Sequence, residues 1–181
     1  MLFRSVYQNA QQFNEALLVL NKGIEQIPNS ARMYDARGIF FKEILQFEKS
    51  IKDFTTSLKL DTSGEHHAVI YNNRGAARMT IRDIKGAYSD FLMSYKLDST
   101  SLGTINNLGR ICEDLGKPEE GMRYLLKALE IDPNYMPAYA NIGFKHQEMG
   151  KHQEAIKMFD KVVELDPSEP LGYSNRSYSR L

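Results

Sequence analysis

Small residues return along this chain at a nearly constant interval, and that interval constrains the fold more than any other feature of the sequence. Successive members lie 37, 34, 34 and 34 residues apart. The series is Gly38, Gly75, Gly109, Gly143 and Ser177. A large residue stands four positions before each member: Tyr34, Tyr71, Ile105, Tyr139 and Tyr173. Residues four apart share a helix face, so the pattern predicts helices that recur as repeats.

A second series of small residues lies downstream of the first in each repeat. Its members are Ala16, Ser50, Ala87, Gly121 and Ala155. A large apolar residue follows each one by four positions: Leu20, Phe54, Phe91, Leu125 and Phe159. A small side chain lets two helices approach closely, and the large residue one turn away fills the space beside it. Each repeat is therefore predicted to be a pair of packed helices.

Glycine and proline mark the ends of these predicted helices. Gly116 and Gly150 suit the left-handed position that ends a first helix, and Pro118 suits the opening turn of a second. Second helices are expected to end just before Pro28, Pro133 and Pro167, because proline lacks the backbone donor that would continue them.

Together these residues resemble the tetratricopeptide repeat family, whose pattern combines an early aromatic residue, a glycine, a mid-repeat alanine, a phenylalanine and a late proline. The resemblance implies an all-α fold, a superhelical α-solenoid of stacked antiparallel helix-turn-helix units in a single domain. It covers an incomplete repeat at 1–30, full repeats at 31–64, 68–101, 102–135 and 136–169, and a further first helix or capping helix at 170–181. Two repeats have Thr62 and Ser99 in place of the late proline, and the residues 65–67 lengthen one connection.

Composition argues against several classes of partner and location. Twenty-three basic residues balance twenty-three acidic ones, so no net charge favours nucleic acid or an anionic membrane. Cys112 is the only cysteine, which excludes an intramolecular disulfide and fits a reducing compartment. The given chain shows no signal peptide and no apolar stretch long enough to cross a bilayer, so a cytoplasmic location is favoured.

The resemblance implies that the first helix of each repeat lines a concave groove. Two positions before the small residues stand asparagines spaced by 34 residues: Asn73, Asn107, Asn141 and Asn175. A carboxamide can both donate to and accept from a peptide backbone, so this row could hold an extended peptide. It resembles the asparagine ladder in the tetratricopeptide region of O-linked N-acetylglucosamine transferases. The alternative is that asparagine is simply soluble here, or bonds a neighbouring helix.

The residue after each small residue should also face the groove and give selectivity. This set includes Ile39, Arg110, Phe144 and Tyr178. Arg110 could contact an anion, or instead pair with Glu113 or Asp114 on its own helix. Phe144 and Tyr178 could receive apolar side chains, or instead pack between helices.

No combination of residues predicts catalysis, a metal site or a cofactor. Cys112 lies in an apolar stripe and is expected to be a buried small hydrophobe. The histidine pairs at 66–67 and at 146 and 152 lack the spacing of helical metal ligands.

We therefore expect a non-catalytic scaffold that binds a peptide or helix of a partner protein. Two alternatives stay open: a targeting or regulatory segment of a larger enzyme, such as a glycosyltransferase, kinase or protease, and a self-assembly module. The latter would use the apolar edge of the last helix, which carries Leu171, Tyr173, Tyr178 and Leu181.

Overall fold

The computed structural model describes residues 2–168 together with Pro170 and Asn175, and it describes side chains from Phe13 onward. Within this part of the chain the secondary structure consists of nine helices and contains no strand. The helices are α1 (Leu2–Gln26), α2 (Ala31–Glu43), α3 (Phe47–Leu60), α4 (His67–Thr80), α5 (Ile84–Leu97), α6 (Leu102–Asp114), α7 (Pro118–Ile131), α8 (Met136–Glu148) and α9 (His152–Leu165). Of the helix predicted at 170–181, Pro170 and Asn175 are described, and both are helical.

Consecutive helices pair into hairpins, and the hairpins stack within two compact units. The N-terminal unit comprises residues 1–97 and the C-terminal unit residues 98–181. In the N-terminal unit α1 packs on α2, α3 packs on α4, and the first helices α2 and α4 also touch. In the C-terminal unit α7 packs on α8, and the first helices α6 and α8 touch. The predicted all-α helical-repeat solenoid class is confirmed, whereas a single solenoid domain stays a prediction.

The turn inside each hairpin uses one residue in the left-handed region. Gly116 and Gly150 adopt φ of 67° and 70°, as the sequence predicted. Leu45 and Arg82 occupy the same turn in the N-terminal unit with φ of 61° and 64°. A side chain in this conformation crowds the following carbonyl oxygen, so these two turns carry strain that the glycine turns avoid.

An aspartate follows each second helix of the four complete hairpins and closes its end. Each carboxylate accepts a hydrogen bond of 2.9 Å from the backbone N–H two residues later. The four are Asp61, Asp98, Asp132 and Asp166. This local turn explains how α3 and α5 end where Thr62 and Ser99 replace the late proline.

Close helix contact surrounds every glycine of the first series. A Cβ atom at Gly38, Gly75, Gly109 or Gly143 would lie 2.5 to 2.8 Å from a buried side chain of the paired second helix. Those side chains are Phe54, Phe91, Leu125 and Phe159, each fully buried. The tightest contact with backbone is at Gly121, where a Cβ atom would lie 2.6 Å from the carbonyl oxygen of Gly109. The helix pairing predicted from the two small-residue series is thus present in each hairpin.

Candidate functional site

The predicted asparagine row lies on the first helices. Asn73 lies on α4 of the N-terminal unit, while Asn107 lies on α6 and Asn141 on α8 of the C-terminal unit. All three are half-buried, as is Asn175. The structure therefore places two members of the row, Asn107 and Asn141, on adjacent helices that touch.

Two of these carboxamides already bond the preceding first helix. Lys42 Nζ on α2 donates to Asn73 Oδ1 at 2.8 Å. Asn141 Nδ2 donates to Asn106 Oδ1 on α6 at 2.7 Å. Gln147 Nε2 on α8 donates to the backbone oxygen of Asn175 at 3.2 Å. Asparagine thus bonds a neighbouring helix, as the alternative in the sequence analysis had it. A carboxamide has two donor hydrogens and one acceptor oxygen, so a single hydrogen bond leaves other hydrogen-bonding groups for a ligand.

The other predicted groove residues differ in exposure. Arg110 on α6 is exposed, and Ile39 on α2 is half-buried. Phe144 on α8 is half-buried and sets its ring edgewise against Phe159, with ring centroids 5.5 Å apart. Phe144 therefore packs between helices and keeps part of its surface accessible. Tyr178 lies outside the described residues.

Lys145 on α8 is a charged residue that sequence analysis missed. It is 4% exposed, and its ammonium group forms an ion pair with Glu113 on α6. Burial lowers the pKa of Lys145, against an opposing influence from the nearby Glu148. Sequence analysis offered a pair between Arg110 and Glu113 as one alternative. In the structure Glu113 pairs instead with Lys145 on the neighbouring first helix. The corresponding positions hold Phe40, Ala77 and Ile111, so the repeat register could have identified this lysine.

A second feature missed by sequence analysis is a polar triad that joins three helices in the N-terminal unit. Arg37 on α2 donates to both carboxylate oxygens of Asp53 on α3, at 2.6 and 2.9 Å, and to Asn21 on α1 at 2.7 Å. The next hairpin repeats the arrangement. Arg74 on α4 donates to Asp90 on α5 at 2.9 and 2.6 Å and to Thr55 on α3 at 3.0 Å.

The residues weighed for catalysis show ordinary structural surroundings. Cys112 is fully buried, and burial raises the pKa of its thiol, which disfavours the reactive thiolate. His67 contacts Asp61, with 3.3 Å between Nε2 and the carboxylate, and His66 and His152 are exposed. No group of three or more potential metal ligands occurs among the residues that the structure describes. None of the described helices is long and apolar enough to cross a membrane.

Part of the chain aligns with curated proteins. It is 26% identical over 109 residues to RNA polymerase II-associated protein 3 of Xenopus tropicalis, a match that covers 60% of this chain and 16% of that protein. It is 25% identical over 112 residues to the Protein CTR9 homolog of Arabidopsis thaliana, covering 61% of this chain and 10% of that protein. The chain thus matches only a small fraction of each relative's length.

Solved structures share the fold over most of the chain. The solved chain of MamA from Desulfovibrio magneticus RS-1, described as 41-end, superposes with a TM-score of 0.77 at 22% identity, and the match covers 93% of this chain and 95% of that chain. YrrB, described as a TPR protein with an unusual peptide-binding site, superposes with a TM-score of 0.74 at 17% identity, covering 97% and 89%. Identities this low establish the fold alone.

Sequence profiles identify the repeats themselves. Residues 102–135 and 137–169 each match the profile described as "Tetratricopeptide repeat". Both matched segments lie in the C-terminal unit, where Leu108 with Tyr124 and Ile142 with Met158 occupy the positions of the N-terminal Arg and Asp pairs. Such repeats indicate a protein–protein interaction scaffold, in a fold that is generally non-catalytic. The chain therefore contains tetratricopeptide repeats, and the family pattern is matched directly in its last two full repeats.

Proposed function

We propose that this protein binds a peptide of a partner protein along its first helices, without catalysing a reaction. In the C-terminal unit the carboxamides of Asn107 and Asn141 would hold the peptide backbone. Arg110 and Phe144 would then select its side chains. Asn73 and Ile39 would act in the same way in the N-terminal unit, and Asn175 and Tyr178 would extend the row. The proposal deepens the scaffold role that tetratricopeptide repeats indicate.

The observation that carries the proposal is the bond between Asn141 and Asn106. It holds carboxamides of α8 and α6 at 2.7 Å, while Asn141 stays half-buried and Asn106 is 8% exposed. A side chain already held in one conformation loses less entropy when it binds a ligand. Asn141 retains a second amide hydrogen and its carbonyl oxygen, which are the groups that a peptide backbone needs.

Selectivity would come from the residues beside this pair. The exposed guanidinium of Arg110 favours a carboxylate on the peptide, since charge-assisted hydrogen bonds are roughly twice as strong as neutral ones. The Phe144 ring is anchored by Phe159 and presents its remaining surface to an apolar side chain. A few anchors of this kind usually dominate the affinity of an interface.

A displayed library of random peptides, selected on the purified chain, tests the proposal. We expect the selected peptides to lose about tenfold in affinity when Asn107 and Asn141 are both replaced by alanine. Asn134→Ala is the matched control, because Asn134 is exposed in the turn before α8 and should leave affinity unchanged. Circular dichroism should show equal helicity in all three proteins. Affinity of the double variant within twofold of the parent would refute the role of these asparagines.

A further inference from the structure

The C-terminal unit contains an open apolar groove that involves none of the predicted peptide-binding residues. It lies between α7 and the α8–α9 hairpin and encloses about 600 Å³. Its lining includes Leu126, Ile142 and Met158. Leu126 is 48% exposed and Met149, at one end of the groove, is 46% exposed. A sizeable apolar surface therefore faces solvent in this unit.

The N-terminal unit has the same groove in a smaller, polar form. There it lies between α1 and the α2–α3 hairpin, encloses about 360 Å³, and is lined by Asn21, Arg37 and Asp53 among others. These three residues form the hydrogen-bonded triad described above. Adding 105 to their numbers gives Leu126, Ile142 and Met158, so each polar member has an aliphatic counterpart at the same repeat position.

The C-terminal groove lacks the hydrogen-bonded bridge that crosses the N-terminal groove. The N-terminal groove is bridged by an arginine whose bonds are satisfied within the protein. All three polar residues are replaced together in the C-terminal unit, and no side chain among the described residues of that unit bridges the aliphatic set. An apolar surface left open in this way is typical of a protein-binding site.

The charges at one end of the groove indicate the character of the occupant. Arg123 and Lys151 are exposed there, against a single exposed carboxylate, Glu119. His146 lines the same end, and its buried Nδ1 has no hydrogen-bond partner within the described part of the chain. The apolar end is formed by Leu126, Leu129 and Tyr139. A ligand that combines an apolar face with acidic groups at one end would complement both features.

We propose that this groove binds an amphipathic helix of a partner protein. Its aliphatic face would lie on the exposed Leu126 and the half-buried Met158, above the buried Ile142, and its acidic end beside Arg123 and Lys151. Helix binding in an open groove uses aliphatic side chains at i, i+3, i+4 and i+7. The flexible thioethers of Met122, Met149 and Met158 can adjust to such a ridge. This site is additional to the proposed peptide groove and shares no residue with it.

Binding of designed helical peptides to the full chain, followed by fluorescence anisotropy, tests the proposal. The probe is a labelled peptide of about 18 residues with leucines at i, i+3, i+4 and i+7 and glutamates at one end. A second peptide has lysines in place of the glutamates. We expect the acidic peptide to bind about tenfold more tightly than the basic one at low salt, and the difference to shrink as salt is added.

Protein variants locate the binding. Leu126→Gln should weaken the acidic peptide about tenfold, whereas Leu18→Gln, a change at a similarly exposed leucine of α1, should have no effect. The variant L126N/I142R/M158D introduces the three residue types of the N-terminal triad at the corresponding C-terminal positions. It should abolish binding of the acidic peptide. Asn107→Ala/Asn141→Ala should bind the peptide normally, which separates this site from the proposed peptide groove.

Three kinds of result would overturn the proposal. One is the absence of measurable binding of the acidic peptide to the parent protein. Another is equal binding of the acidic and basic peptides, or binding that Leu126→Gln does not change. The third is sedimentation showing that the parent self-associates and that Leu126→Gln makes it monomeric, because the occupant would then be a second copy of the chain.

Discussion

The two units build the same stack of hairpins from different chemistry. Between successive hairpins the N-terminal unit places arginine and aspartate, each hydrogen-bonded to a third helix. The C-terminal unit places Ile142 and Met158 at the corresponding positions. Ion pairs require matched partners with defined geometry, whereas aliphatic contacts require only volume and shape. One repeat fold therefore tolerates both solutions, but only the aliphatic one leaves an apolar groove exposed.

The second helices show the same contrast in their buried polar groups. Ser57 Oγ donates to the carbonyl oxygen of Ala31 at 2.9 Å, and Ser94 Oγ donates to that of Ala68 at 2.7 Å. The corresponding C-terminal residues are Ala128 and Val162, both fully buried. The N-terminal unit thus ties second helices to first helices by hydrogen bonds, where the C-terminal unit relies on packing.

Breaking one triad should have the largest effect on stability. Asp53→Ala leaves the Arg37 guanidinium, whose side chain is 20% exposed, without its main partner. We expect the free energy of unfolding to fall by about 3 kcal/mol, measured by urea denaturation. Met158→Ala, at the corresponding C-terminal position, should cost less because it removes only half-buried apolar contacts.

The double variant Arg37→Ile/Asp53→Met tests whether the two chemistries are interchangeable, because it places the residue types of Ile142 and Met158 at the corresponding N-terminal positions. Since replacing both members of an ion pair leaves no charge unpaired, it should change stability by less than about 1 kcal/mol. A loss as large as that of Asp53→Ala would mean that the two chemistries are not interchangeable in this fold.

The next largest effect is expected at Gly121, where the two helices of one C-terminal hairpin are closest. Ser50 and Ala87 occupy this position in the N-terminal unit, and Ala155 occupies it in the α8–α9 hairpin, so only the α6–α7 hairpin excludes a Cβ atom here. Gly121→Ala should lower the free energy of unfolding by about 2 kcal/mol, because the new atom meets backbone that cannot rotate away. Gly103→Ala is the control: nothing lies within 4 Å of its Cβ position, so it should stabilise α6 by up to about 1 kcal/mol. Equal effects of the two changes would contradict the close approach.

A smaller effect, of opposite sign, is expected in the hairpin turns. Leu45 is 72% exposed and strained at φ of 61°, so Leu45→Gly should raise the free energy of unfolding by about 1 kcal/mol. Gly116→Ala, in the equivalent C-terminal turn, should lower it by a similar amount. Thermal denaturation of both variants measures the difference, and a lower melting temperature for Leu45→Gly would show that this turn is not strained.

The repeat, the helix pairs and the close contacts at glycine could be predicted because each depends on residues one helical turn or one repeat apart. The polar triads could not, because Asn21, Arg37 and Asp53 come from three helices and meet only once the hairpins stack. The repeat register marks Lys145 as a charge at an otherwise apolar position, but it does not identify the partner Glu113, which lies on another helix. For the candidate site, sequence spacing identified the asparagine positions. It could not decide which neighbour each carboxamide bonds, because that depends on side-chain geometry.

The smallest effect is expected at the aspartate turns, and it should be alike in both units. Hydrogen bonds from Ser63, Thr100 and Ser168 hold the pKa of Asp61, Asp98 and Asp166 below the usual range. A carboxyl whose folded pKa is lowered stabilises the protein above its unfolded pKa of about 3.9, and that contribution is lost as pH falls through the folded pKa. The triple variant Asp61→Asn/Asp98→Asn/Asp166→Asn should therefore melt below the parent at pH 6, and the gap should close as the pH falls below about 4. A gap that stayed constant down to pH 2 would show that the carboxylate charge contributes nothing to these turns. Because the turns recur in both units, single variants at Asp61 and Asp166 should lower the melting temperature by similar amounts, and the Asp61 variant slightly more because it also loses the contact with His67.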